Sequence, residues 1–87
     1  MSVAEFKGNN AGYRSWVRRH ATDGFVVNVD DSDSKGTRLH SADCSFIRGP
    51  IESDLDVTGT FWKACSIDRE ELRGYWVGGK PCAFCRP

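Results

Sequence analysis

Eighty-seven residues make one small domain, near the size at which an apolar core alone gives thin stability and a metal or disulfides often help. The chain is 39% hydrophobic and 28% charged, with twelve Lys plus Arg against twelve Asp plus Glu, so net charge gives no pull towards DNA or a membrane. No apolar run approaches the roughly 20 residues of a membrane span, and Met1-Ser2-Val3-Ala4-Glu5 lacks the basic-then-apolar pattern of a secretion signal; the expectation is a cytoplasmic protein with no membrane partner.

Residues 1–10 read as a loose leader and residues 11–87 as a single domain. Tyr13, Trp16, Val17 and His20 follow an i, i+3, i+4, i+7 pattern, which predicts a short amphipathic helix over 11–21 with Asn10 as its N-cap. His20 sits at the edge of that helix with no partner at ligand spacing. Asp23-Gly24 turns the chain into a β-branched strand, Phe25-Val26-Val27-Asn28-Val29. The run 30–36 alternates oxygen side chains as a calcium loop does, but Ala42 stands where that loop needs its twelfth-position Glu, so a solvated hairpin turn is expected.

A second strand, Thr37-Arg38-Leu39-His40, follows. Residues 48–59, with Gly, Pro, Glu52, Asp54 and Asp56, read as a long loop, and Thr60-Phe61-Trp62-Lys63-Ala64-Cys65 as a third strand. A helix is expected from about residue 68, with Asp68 capping it and Glu71 reaching back to the Asp68 N–H. Leu72, Tyr75 and Trp76 give its apolar face, and Gly78-Gly79 ends it. The fold class expected is α+β: a zinc-stabilised domain with a short antiparallel sheet of about three strands flanked by two helices.

Two clips of soft ligands carry the chemistry. His40 and Cys44 sit four apart, Cys82 and Cys85 three apart, and 37 residues separate the clips. Each clip supplies two ligands from one tight turn, and the interval lets the fold bring the turns together around one tetrahedral zinc. Three of the four cysteines and one of the two histidines fall at these spacings. Without a secretion signal, thiolates on a metal are favoured over two disulfides. Cys65, at the end of the third strand, is the alternative to His40 as fourth ligand; otherwise it reads as a core cysteine. Four protein ligands leave no open position for water, so one structural Zn²⁺ is expected.

The x3 and x2 spacings and the Pro81-Cys82-x-x-Cys85-x-Pro87 knuckle resemble the small zinc module of Ada-type DNA-repair proteins, over residues 40–87. That family has a methyl-accepting Cys where this chain has His40, and an imidazole is no substitute for that metal-activated thiolate, so methyl-phosphotriester repair does not carry over. Over most of its length, through Gly12-Tyr13, Trp16, His20, Asp23-Gly24-Phe25-Val26, Asn28, Leu39-His40, Cys44, Lys63, Cys65 and Pro81-Cys82…Cys85, the chain also resembles a small bacterial domain with no assigned activity.

Eight of the twelve basic residues are Arg, and guanidinium suits phosphate oxygens. Arg14, Arg18 and Arg19 on the first helix, with Arg38, Lys63, Lys80 and Arg86 around the metal half, are therefore the candidate nucleic-acid contacts. The competing reading is a solvated surface with local ion pairs on a protein-interaction or structural module. There is no nucleophile–base pair, Gly-rich phosphate loop or H-E-x-x-H, so a non-catalytic, monomeric domain is expected, binding either nucleic acid or a protein partner.

Overall fold

The β-branched run Phe25–Val29 sits at the middle of the sheet. In the computed structural model, which describes residues 3–53, 56–59, 61–76 and 78–87 (and no side chain for Ser34), that run is the central strand of a mixed sheet. The strands are β1 (Ala4–Phe6), β2 (Phe25–Val29), β3 (Arg38–Ser41), β4 (Trp62–Ser66) and β5 (Lys80–Pro81), in spatial order β1-β4-β2-β3-β5. Two α-helices, α1 (Asn10–Arg19) and α2 (Ser45–Ile51), and 3-10 segments at Ser34–Gly36 and Arg69–Tyr75 complete the described elements. The α+β class stands, but five strands replace about three, and β3 and β5 run parallel. Met1, Ser2, Asp54 and Thr60, which fell in the expected leader, loop and third strand, lie outside the described residues.

Register assigns the faces, because residues directly opposite one another in a ladder point the same way. Val26 pairs with both His40 and Cys65, and Asn28 with both Arg38 and Lys63. One face therefore carries an apolar row ending in His40 and, beside it, the polar row Lys63–Asn28–Arg38. Tyr13 and Val17 of α1 and Ile47 and Ile51 of α2 cover the apolar row. The other face presents Val27, Leu39 and Ala64, packed by Leu72 of the 69–75 segment.

Part of the leader is strand. Ala4, Glu5 and Phe6 pair antiparallel with Cys65, Ala64 and Lys63, and the Phe6 ring packs 6.0 Å from Tyr13. Three residues are too few to show an alternation, so the strand exists because β4 offers it an edge. Gly8, at φ +63°, turns the chain from β1 into α1. The N-cap is Asn9, whose Oδ1 accepts the Gly12 N–H at 3.0 Å. Asn10 lies inside the helix, and its Oδ1 accepts the N–H groups of Val57 and Thr58 and the Thr58 hydroxyl. The cap expected at Asn10 is thus displaced by one residue because the Asn10 side chain is engaged in holding the 57–58 segment.

The expected loop at 48–59 begins inside α2. Gly49-Pro50 disguises the helix, yet Ile47 and Ile51, four apart, face the core, and the carbonyl of Ile51 accepts from Arg14 Nε at 3.0 Å. The second expected helix is a 3-10 winding, and it lacks the capping box. Asp68 Oδ1 does accept the Glu70 N–H, but the Ser66 hydroxyl takes both remaining partners, accepting from Asp68 N–H and donating to Glu71. Among the described residues no helix is long and apolar enough to cross a membrane.

Candidate metal centre

His40 lies on β3 beside the core, and the chain then makes a tight turn in which Cys44 N–H bonds the Ser41 carbonyl at 3.1 Å. Cys44 stands at the start of α2, where its carbonyl accepts from Ile47 and Arg48 N–H. The second clip arrives by β5. Lys80 N–H bonds the Thr37 carbonyl at 3.2 Å and Cys82 N–H the Leu39 carbonyl at 2.7 Å, which lays Cys82 alongside the residue preceding His40. A Cβ on Gly79 would collide with the Thr37 carbonyl, so this approach of β5 to β3 requires glycine there. The knuckle closes with Arg86 N–H on the Cys82 carbonyl at 3.0 Å.

The result is a cluster in which one ligand atom from each of His40, Cys44, Cys82 and Cys85 lies within 4.8 Å of every other. A tetrahedron with Zn–S bonds of about 2.3 Å has edges of about 3.8 Å, so the four ligand atoms are close enough to bind one ion. His40, Cys44 and Cys82 are buried and Cys85 half-buried. Cys65 is elsewhere, fully buried in the core on the far side of Val26 from His40. All four cysteines are free thiols.

The electrostatics suit a cation. Burial, reinforced by the charges of Lys63 and Arg38, lowers the His40 pKa and keeps the imidazole neutral, the form a metal takes. Its Nδ1 is buried without a hydrogen-bond partner among the described residues, so that lone pair or proton is unmatched by the protein. Burial pushes Cys44 up to about 11, against the Phe46 N–H aimed at its sulfur and with the neighbouring thiols adding to the rise. Burial acts on Cys82 in the same sense, but the N–H groups of Cys85 and Phe84 and the thiols of Cys85 and Cys44 outweigh it and lower its pKa. Ser41 N–H points at Cys85 Sγ at 3.4 Å. Backbone donors thus prepare the site for thiolate, while three sulfurs this close do not all ionise unless a cation joins them. A His/Cys3 set has the donor chemistry of a closed, four-coordinate site.

Most of the candidate basic residues are engaged within the chain. Arg14 donates to the carbonyls of Ile51 and Ser53, and Arg18 to Ile51 while pairing with Glu52 at 3.9 Å. Arg19 reaches Ser15 on its own helix. Arg38 is bonded to the carbonyls of Lys35 and Thr37, and Lys63 is buried. Lys80 and Arg86 alone of the seven candidates are exposed without a hydrogen bond or ion pair among the described residues. His20 meets Asp23 at 3.2 Å and stacks on Trp16. The loop carboxylates turn inward on their own chain: Asp30 Oδ1 accepts from Ser32 and Asp33 N–H, and Asp31 from the Trp62 indole.

Two residues at the site went unnoticed in the sequence. Phe46 and Phe84 are 61% and 69% exposed, and their rings meet edge to face at 5.5 Å. Each is carried by a clip, Phe46 two residues after Cys44 and Phe84 between Cys82 and Cys85. That placement is visible in the sequence; their exposure is not. Comparison with protein families, curated proteins and solved structures finds no match for the chain.

Proposed function

We propose that this chain is a non-catalytic, zinc-stabilised interaction module whose contact surface for a protein partner is built on the metal clips. His40 with Cys44, Cys82 and Cys85 is a donor set that favours Zn²⁺ over hard cations, and with four protein ligands the ion serves structure. The observation that carries the reading is the exposed Phe46–Phe84 pair. Large aromatic side chains left in water at a rigid site are typical of binding surfaces. The likeness of residues 40–87 to Ada-type modules enters here as a metal-built knuckle without the accepting cysteine, and so without its methyl transfer.

A second reading is binding of single-stranded nucleic acid. It is favoured by Lys80 and Arg86, which are exposed on either side of Phe84 along the chain, since an aromatic platform with flanking cations suits stacked bases and phosphates. The helix α1 contacts are less suited to it, because Arg14 and Arg18 are committed to backbone carbonyls.

The two separate experimentally. A photo-crosslinking amino acid at Phe84 should give discrete protein adducts in cells, and the same group at exposed Lys35 should not. Fluorescent single-stranded and duplex oligonucleotides at about 20 mM salt should show no binding, because a phosphate-driven contact is strongest in dilute buffer. Oligonucleotide binding that is lost in Phe84→Ala would transfer the function to the nucleic-acid reading. Neither adducts nor binding would retire both.

A further inference from the structure

A cavity of about 450 Å³ opens beside the candidate metal centre, between α2 and residues 56, 57, 59 and 61. Its lining includes Lys63, Asn28, Tyr13 and His40 from the sheet and α1, and Phe46 and Phe61 from the two walls. Lys63 is its unusual member. The side chain is only 8% exposed, and Nζ donates to the carbonyls of Val57 at 2.6 Å and Phe61 at 3.0 Å. An ammonium has three donors, and among the described residues the third has no acceptor. No carboxylate pairs with it among the described residues; Asp56, also on the cavity wall, acts on Lys63 only through space and is itself exposed. A buried cation without a paired anion is costly, and the two carbonyls and the Tyr13 ring, whose centroid is 5.5 Å from Nζ, supply no countercharge for it. Beside it in the polar row, Asn28 is half-buried and its carboxamide makes no hydrogen bond among the described residues.

We propose that this cavity binds the carboxylate of a small monoanion with a flat apolar body, one oxygen on Lys63 and the other on the Asn28 amide, with the body against Phe46 and Phe61. A single carboxylate supplies the missing charge, and its two oxygens match the two idle donors. Asp56 opposes any anion here, and a dianion such as phosphate would meet that repulsion doubled and find one cation where it needs more. Apart from Asp56 and His40 the remaining wall is largely apolar, the usual composition of a site for a small organic ligand. Two sources carry this chemistry: a free aromatic acid, or the C-terminal carboxylate of a chain ending in an aromatic residue. The site shares Phe46 with the exposed pair, so Lys63 and Asn28, which the pair does not include, are the residues that test it.

The test uses the zinc-loaded full chain and amide NMR, titrated with benzoate, its uncharged isostere benzamide, and inorganic phosphate. Benzoate should shift the Lys63, Asn28 and Phe61 amides saturably, and benzamide should bind at least about tenfold more weakly, as loss of a charge-assisted bond implies. Asn28→Ala should weaken benzoate binding, and Lys63→Met should abolish it with zinc content unchanged. If Lys63→Met does not fold for want of its bonds to Val57 and Phe61, the isostere pair and Asn28→Ala still decide. An acetylated Gly-Phe dipeptide against its amidated form assigns the source: tighter binding than benzoate, lost on amidation, means a chain terminus, and benzoate binding alone means a free acid. Equal binding of benzamide, equal shifts with phosphate, or no saturable shift at roughly 10 mM, an affinity below about 3 kcal/mol, would overturn the proposal.

Discussion

His40 and Cys65 flank the same residue, Val26, on opposite sides of β2, yet they face different fates. His40 borders the cavity and belongs to the cluster with the sulfurs, and its buried Nδ1 is unmatched among the described residues. Cys65 is enclosed by apolar neighbours, and burial pushes its thiol far above the ordinary range, countered only weakly by Lys63. Its sulfur is not part of the cluster and its neighbours are apolar, so Cys65 is a core residue. His40→Ala should therefore lower zinc affinity steeply in a competition assay with a chromogenic chelator. Cys65→Ser should keep one zinc per chain and lose only about 1–3 kcal/mol of unfolding stability, the cost of a buried hydroxyl without a good partner. Zinc lost in Cys65→Ser and kept in His40→Ala would reverse the ligand assignment.

The second clip depends on β5, two residues held parallel to β3 by Lys80 N–H and continued by Cys82 N–H. So short a strand has little stability of its own, and its position is set by how closely its backbone reaches Thr37. Gly79→Ala places a methyl group against that carbonyl. We expect weaker zinc binding and faster amide exchange at Cys82, with β2 and β4 unaffected, because the obstruction falls on the sheet edge. Wild-type zinc affinity in Gly79→Ala would show that the knuckle closes without β5. Helix α2 is similarly dependent on its neighbour: seven residues with an internal proline persist because Ile47 and Ile51 are buried and Arg14 satisfies the last carbonyls. The charge-reversing pair Arg14→Glu with Arg18→Glu is accordingly a stability mutant.

The chain closes on itself through contacts far apart in sequence. β1 at one terminus and β5 near the other lie at opposite edges of one sheet, and the clips join residues 40–44 to residues 82–85. Two small apolar clusters, one on each face, are all the core the described residues provide, and the first includes Cys44 and Cys82. Removing the metal thus leaves three thiols and an imidazole to be satisfied at the edge of that core. Structural zinc contributes on the order of 10 kcal/mol in small domains, as much as a typical domain's whole stability. A tight chelator should collapse the amide dispersion around Cys44, Ile47 and Cys82 and lower the thermal midpoint sharply, reversed by added Zn²⁺. A chelated protein with its spectrum and melting temperature unchanged would refute a structural metal.

What could be read without coordinates was whatever short-range covalent geometry encodes. The β-branched run of residues 25–29, the helical spacing of Tyr13, Trp16 and Val17, and the two ligand pairs each span only a few residues, so local sequence translates directly into local structure. The α+β class and the grouping of His40 with three cysteines followed from those. The edge strands β1 and β5 were hidden because two or three residues carry no period and pair only when a neighbour is present. Helix α2 was hidden behind Gly49-Pro50, although the Ile47–Ile51 spacing was there to be seen. Whether a charged or aromatic side chain meets water was not encoded locally at all. Arg14 and Arg18 of α1 became carbonyl partners, Lys63 was drawn into a cavity wall, and Phe46 and Phe84 were left exposed. Desolvation depends on every segment that packs around a residue, and that is a property of the assembled fold.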